Sequence, residues 1–292
     1  MIPKSFEYVS PASLEEALTY LNEYGQDSKV LAGGMSLIPL MKLRLASPKY
    51  LIDINRISSL EYIREEGASL RIGPLTRHHA IQKSELLARK ARIMTEAASW
   101  IGDPQVRNSG TIGGSLVHAD PSADWGSVMI ALDASLKMNS SSGERLVRAD
   151  EFFVDTLTSA AKANELLTEI QIPLSKNASG GSYQKLERKA GDFATVGVAA
   201  QLSLDPSGIC EMVGIALSSV GPTNMRAKKA EAVLMENEVT KAKIEEAAQA
   251  AAEESRPEDD VLRGSAEYKK AMVRVFADRA LTHALNRAKN ME

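Results

Sequence analysis

The sequence of 292 residues contains a single cysteine, Cys210. One thiol excludes an internal disulfide. It also excludes an iron–sulfur cluster or zinc ribbon held by this chain alone, since such centres take about four ligands. Aromatic residues make up only 5% of the chain, so an aliphatic core is expected. Charge of one sign is not in excess: 35 Lys and Arg stand against 38 Asp and Glu, a net charge of −3. That balance excludes the basic footprint of a nucleic-acid binder and a polybasic membrane patch. Long apolar runs are missing too. The longest uncharged stretch, Met212 to Met225, is interrupted by Ser, Gly and Pro, whereas a spanning helix takes ~20 apolar residues. Met1 to Val9 contains Lys4 and Glu7 and no apolar run, so no secretory leader is expected and a cytoplasmic location is. Neither G-x-G-x-x-G after a strand nor G-x-x-x-x-G-K-[ST] occurs, which argues against the two commonest nucleotide-binding fingerprints.

What is present reads as a mixture of helices and strands. Ser13-Leu14-Glu15-Glu16 is a capping box. Leu14, Ala17, Leu18 and Leu21 follow at helical spacing until Gly25. Lys29 to Leu31 predicts a strand, Leu37 to Leu45 a helix and Tyr50 to Ile54 a second strand, which makes a small βαβ-like unit. Residues 62–64 and 70–72 predict a hairpin around Glu66-Gly67. One helix is expected from Ser84 to Trp100, then a long irregular segment from Asp103 to Asp124, then a helix from Trp125. Long irregular segments in compact domains are usually functional. Residues 134–138 and 166–172 predict strands. Lys176 to Ser182 has linker composition and predicts a domain boundary, with domains over 1–175 (lobes about 1–55 and 56–175) and 176–292. Three strands are expected over 182–189, 195–204 and 209–220. From Arg226 on, three Ala-, Glu- and Lys-rich helices are expected, interrupted near Arg256-Pro257. Beyond Pro222, Lys plus Arg and Asp plus Glu each number 13, so these helices read as a solvated layer rather than a charged tail.

The chemically informative features are two glycine pairs. Ala32-Gly33-Gly34-Met35-Ser36 leaves a strand and enters a helix, and Thr111-Ile112-Gly113-Gly114-Ser115 lies in the long irregular segment. Without Cβ atoms, successive N–H groups can converge on an anion, and a following helix adds its positive dipole end. Two such loops could hold both halves of a pyrophosphate; each alone also fits a plain tight turn. A third pair, Gly180-Gly181, is expected to be such a plain case in the linker.

With Lys42-Leu43-Arg44 after the first loop and Arg107-Asn108-x-Gly110 before the second, the pair resembles the flavin-binding loops of one family. That family is the medium, FAD-binding subunit of molybdenum hydroxylases, which include carbon monoxide dehydrogenase, xanthine dehydrogenase and aldehyde oxidoreductases. The resemblance extends over nearly the whole chain. It implies an α+β fold: a two-lobed FAD-binding domain followed by a small antiparallel sheet with a helical layer. It implies that Ala32, Gly33, Gly34, Met35 and Ser36, with Thr111, Ile112, Gly113, Gly114 and Ser115, contact FAD. Ser115 stands where the family often has Asn, and Met35 is given backbone contact only. Asp124 is implied as an acceptor for ribityl or ribose hydroxyls; it also fits the N-cap of the next helix. Lys185 is implied near the flavin ring, or is a surface lysine on a strand. Leu167 is implied to place its backbone by the ring, or is core. Phe193 is implied to pack on the ring, or is a lone exposed aromatic.

The remaining candidates carry no chemistry. His78 and His79 are adjacent and cannot share one metal well on a helix. His118 suits a turn or cap, Asp120 a turn, and Asp259-Asp260 a solvated loop. No catalytic side chain and no metal ligand is expected in this chain. The implied function is electron transfer: from [2Fe–2S] clusters in a small subunit, through FAD here, to an acceptor such as a quinone, NAD or oxygen. Substrate is implied to react at a molybdopterin centre in a large subunit, in a dimer of heterotrimers. The alternative is a stand-alone FAD oxidase or reductase of the related two-loop fold.

Overall fold

A computed structural model describes residues 2–175 and 178–290. The chain begins with β1 (Glu7–Val9), α1 (Leu14–Tyr24), β2 (Ser28–Leu31), α2 (Leu37–Lys42) and β3 (Tyr50–Asp53). Ser13 caps α1 by accepting from the Glu16 N–H at 3.2 Å, while the Glu16 carboxylate takes the N–H of Ala12 at 2.8 Å. The capping box thus forms, with its return arm displaced by one residue. β2 and β3 are parallel across α2, as the βαβ reading requires, and β1 adds a third parallel strand on the far side of β3. Ala17, Leu18 and Leu21 bury one face of α1 against Ile52, Ile54 and Ile57.

The second lobe carries β4 (Ile63–Glu66), β5 (Ser69–Ile72), α3 (His78–Lys83), α4 (Glu85–Lys90), α5 (Arg92–Trp100), α6 (Pro104–Ser109), α7 (Ile112–His118) and α8 (Asp124–Ala131). It continues through β6 (Ser135–Ser140), β7 (Gly143–Arg148), α9 (Ala149–Phe152), β8 (Phe153–Asp155), β9 (Thr158–Ser159) and β10 (Leu166–Pro173). Five antiparallel strands run in the order β4-β5-β10-β6-β7. Two expectations need correction. The helix expected over 84–100 is two helices, because Ala91 sits at φ −152°, ψ 61°, outside the helical region. The segment 103–124 holds two short helices, α6 and α7, each capped by its own side chain: Asp103 accepts from Val106 N–H and Thr111 from Gly114 N–H.

The last part comprises β11 (Ala178–Glu187), β12 (Ala194–Leu204), β13 (Cys210–Ser218), β14 (Met225–Arg226), α10 (Lys228–Leu234), α11 (Lys241–Glu254) and α12 (Ala266–Ala288). The strands form an antiparallel sheet in chain order. Every residue of the central strand β12 is buried. Its alternate residues Val196, Val198, Ala200, Leu202 and Leu204 pack toward the helical layer. Ala199 faces the other way, into the core of the second lobe with Tyr183 and Ala216. The sheet is therefore covered on both faces, which explains its nearly continuous apolar sequence.

Lys176 and Asn177 of the expected linker lie outside the described residues, but Ala178 to Ser182 are strand, not linker. Gly180 is a close-packing glycine: a Cβ there would collide with the Ala284 carbonyl oxygen of α12. Its composition imitates a linker because the helix backbone leaves no room for side chains. No helix among the described residues is long and apolar enough to cross a membrane.

Candidate functional site

The two glycine loops meet. Ser109 Oγ, just before the second loop, donates to the Gly33 carbonyl at 2.9 Å. A Cβ on Gly33 would collide with the Ser109 carbonyl oxygen, and one on Gly114 would rest 3.9 Å from the Ala32 Cβ. Gly34 has φ +73°, the left-handed region in which glycine is at ease. Met35 points outward, 41% exposed.

The loops are not equivalent. Among the described residues, the N–H groups of Gly33, Gly34, Met35 and Ser36 donate to no protein acceptor. In the second loop the Ile112 N–H goes to Thr76 O at 3.1 Å, Gly113 N–H to Pro74 O at 2.9 Å and Ser115 N–H to Thr111 O at 3.1 Å. The Gly114 N–H goes to Thr111 Oγ1 at 3.1 Å. Among the described residues, successive N–H groups without a protein acceptor are therefore a feature of the first loop and not of the second. Gly113 serves close packing, since a Cβ there would run into Pro74. The second loop keeps the hydroxyl proton of Thr111 and the Ser115 hydroxyl as donors.

Behind the loops lies a polar set that sequence reasoning missed. Asn55 Nδ2 donates to Ala32 O at 2.8 Å, and Arg77 Nη2 donates to Asn55 Oδ1 at 2.7 Å. Arg77 Nη1 donates to the Ser109 carbonyl. Asp53 holds the Asn55 amide at 2.6 Å and is itself held by the Tyr8 hydroxyl at 2.7 Å. These residues come from three segments with no shared motif, so no sequence signal marks them. His78 supports the second loop from below. Its N–H donates to Gly110 O at 3.1 Å, and its Nδ1 accepts from Trp125 Nε1 at 3.1 Å. Burial, aided by the Arg77 cation, pushes its imidazole down to about 4, so it is neutral and can accept that bond.

Asp124 and Lys185, singled out separately in the sequence, are paired. Lys185 Nζ stands 3.1 Å from Asp124 Oδ1, with side chains 2% and 8% exposed. Tyr183 donates its hydroxyl to the same carboxylate at 2.6 Å. Lys185 also donates to the Trp100 carbonyl at 3.3 Å, and Glu187 lies 3.9 Å away. Burial holds the Asp124 carboxyl above its ordinary range, against the opposing pull of Lys185 and Tyr183. Neither simple alternative survives. Lys185 is not a surface lysine, and Asp124 is the first residue of α8, with Ala123 in the N-cap position.

Phe193 is half exposed, on a loop whose next residue is stitched to the segment before α8. Ala194 N–H donates to Ser122 O at 3.4 Å, and Ser219 Oγ bridges Ala194 O at 2.7 Å and Ser122 Oγ at 3.0 Å. Leu167 is buried on β10, opposite Met138, in the same second-lobe core as Ile112 of the second loop. The strand bulges immediately after it, at Thr168. Of the other candidates, Asp120 closes a turn by accepting from the Ser122 N–H at 2.8 Å, and Asp259 and Asp260 cap backbone N–H groups in the loop before α12. His118 is the last residue of α7.

The family described as "FAD binding domain in molybdopterin dehydrogenase" matches residues 4–175, and "CO dehydrogenase flavoprotein C-terminal domain" matches residues 181–284. The carbon monoxide dehydrogenase medium chain of Hydrogenophaga pseudoflava is 42% identical over 97% of this chain and 98% of its own length. Subunit alpha of the 6-hydroxypseudooxynicotine dehydrogenase complex of Paenarthrobacter nicotinovorans is 39% identical over 99% and 97%. In the solved carbon monoxide dehydrogenase from H. pseudoflava, which lacks the Mo-pyranopterin moiety, one chain superposes with a TM-score of 0.94 at 44% identity, covering 98% of this chain and 99% of that one.

Proposed function

The chain belongs to the FAD-binding medium subunits of the molybdopterin dehydrogenases, and from that premise we propose that it is the flavin-bearing electron-transfer subunit of a molybdenum hydroxylase. The observation that carries this reading is the first glycine loop, whose consecutive N–H groups have no acceptor among the described residues and which lies against the second loop. Such a cradle suits a pyrophosphate. In this reading Gly33, Gly34, Met35 and Ser36 bind the phosphates through the backbone, beside Ala32. Thr111 and Ser115 add hydroxyls, while Ile112, Gly113 and Gly114 shape the second wall.

Asp124, Lys185 and Phe193 then line the flavin end, with the Leu167 backbone beside them. Lys185 places a cation there, but Asp124 neutralises most of its field. Phe193 is free to pack on the ring and screen it from water. FAD supplies reversible acceptance and release of electrons; the protein supplies binding, orientation and electrostatics. Partner subunits would carry the molybdenum cofactor and [2Fe–2S] clusters, in a dimer of heterotrimers. A quinone, NAD or oxygen would take the electrons, and the setting would be cytoplasmic. Carbon monoxide, an aldehyde and an N-heterocycle are the substrate classes this branch suggests.

The test is purification of the chain with the partners that accompany it. A flavin absorption spectrum with one FAD per chain, bleached when substrate reduces the complex, is the expected result. A colourless complex that takes up no FAD would overturn the proposal.

A further inference from the structure

We propose that Asn55, Arg77 and Ser109 are positioning residues that aim the N–H groups of the first glycine loop at the pyrophosphate of FAD; this rests on the flavin reading above. The argument starts from peptide geometry. All peptide bonds described here are trans, and in a trans peptide the C=O of one residue and the N–H of the next point in opposite directions. Fixing a carbonyl on one side therefore presents the following N–H on the other.

Both critical carbonyls are fixed from the same quarter. Ala32 O is held by Asn55 Nδ2 at 2.8 Å, which turns the Gly33 N–H away from Asn55. Gly33 O is held by Ser109 Oγ at 2.9 Å, which turns the Gly34 N–H away from Ser109. Arg77 joins the two holders with its fork, one nitrogen on Asn55 Oδ1 and the other on the Ser109 carbonyl. A guanidinium suits this task because it is planar and offers two parallel donors at fixed spacing. It also fixes the Asn55 amide: with Oδ1 committed to Arg77, only Nδ2 can face Ala32. Asp53 Oδ1 takes the Asn55 N–H at 2.9 Å and its Nδ2 at 2.6 Å, confirming the same orientation. The first loop is thereby oriented before any ligand arrives, so less ordering is left for binding.

The experiment compares FAD, ADP and riboflavin on the deflavinated complex. Riboflavin has no phosphate, so it reports the flavin end alone. Asn55→Leu, Ser109→Ala and Arg77→Met are each expected to weaken FAD and ADP about tenfold, roughly one lost hydrogen bond. Riboflavin affinity should stay within about twofold, and Arg77→Lys should recover part of the loss. Equal weakening of FAD and riboflavin would mean general loosening and would overturn the proposal. So would unchanged FAD and ADP affinity in all three variants. A parent complex that binds no FAD would overturn the flavin reading itself, a separate outcome.

Discussion

The Lys185 ammonium, on β11, lies 3.1 Å from the Asp124 carboxylate, at the start of α8 and 61 residues away in sequence, and both side chains are buried. The sheet after residue 178 and the second lobe are joined there by a charge pair rather than by apolar contact alone. Tyr183 seals it with a hydrogen bond of 2.6 Å. A buried pair is costly to break because the survivor keeps its charge without a partner.

Asp124→Asn and Lys185→Met should therefore each destabilise the fold by about 3–5 kcal/mol, while the double variant should recover most of that loss. Urea unfolding of the four proteins measures it. Additive losses would show that the two groups do not depend on each other.

His78 predicts an acid limit. Burial and Arg77 lower its imidazole from 6.5 to about 4. Between those values the unfolded chain binds a proton that the folded chain does not. This contribution to stability is complete above pH 6.5 and is lost as the pH falls toward 4, by up to about 3 kcal/mol. His78→Gln should flatten that part of the stability profile. An equally steep profile in the variant would assign the acid limit to other groups.

Gly33→Ala should release FAD. Its methyl group would collide with the Ser109 carbonyl and force the loops apart. The change is local, so far-ultraviolet circular dichroism should match the parent while bound flavin falls below half. Full retention would show that the loops tolerate separation.

Phe193→Ala tests the flavin end. The side chain is 50% exposed, so its loss should alter stability by less than about 0.5 kcal/mol. If the ring packs on the flavin, its removal should raise flavin fluorescence and speed oxidation by small external acceptors. Unchanged fluorescence would place the aromatic elsewhere.

Much of this was legible beforehand. The α1 cap and stripe, the βαβ unit, the three long strands and the last three helices all follow from periods and caps that act over a few residues. Misreadings arose where tertiary contact replaced local chemistry. Gly180 reads as linker because only the backbone of α12 reveals why a side chain is excluded there. Gly113 reads as an anion donor, yet its N–H is taken by Pro74, a residue with no sequence mark of that role.

The sequence alone pointed to the kind of protein: two glycine loops with their flanking residues resemble those of FAD-binding medium subunits, and one cysteine is too few for an iron–sulfur cluster held by this chain alone. Only the tertiary structure decided how those loops are used. Whether a backbone N–H is free depends on which carbonyl or side chain reaches it, and such partners are brought together by packing. Asn55, Arg77 and Ser109 meet for that reason, and so do Asp124 and Lys185.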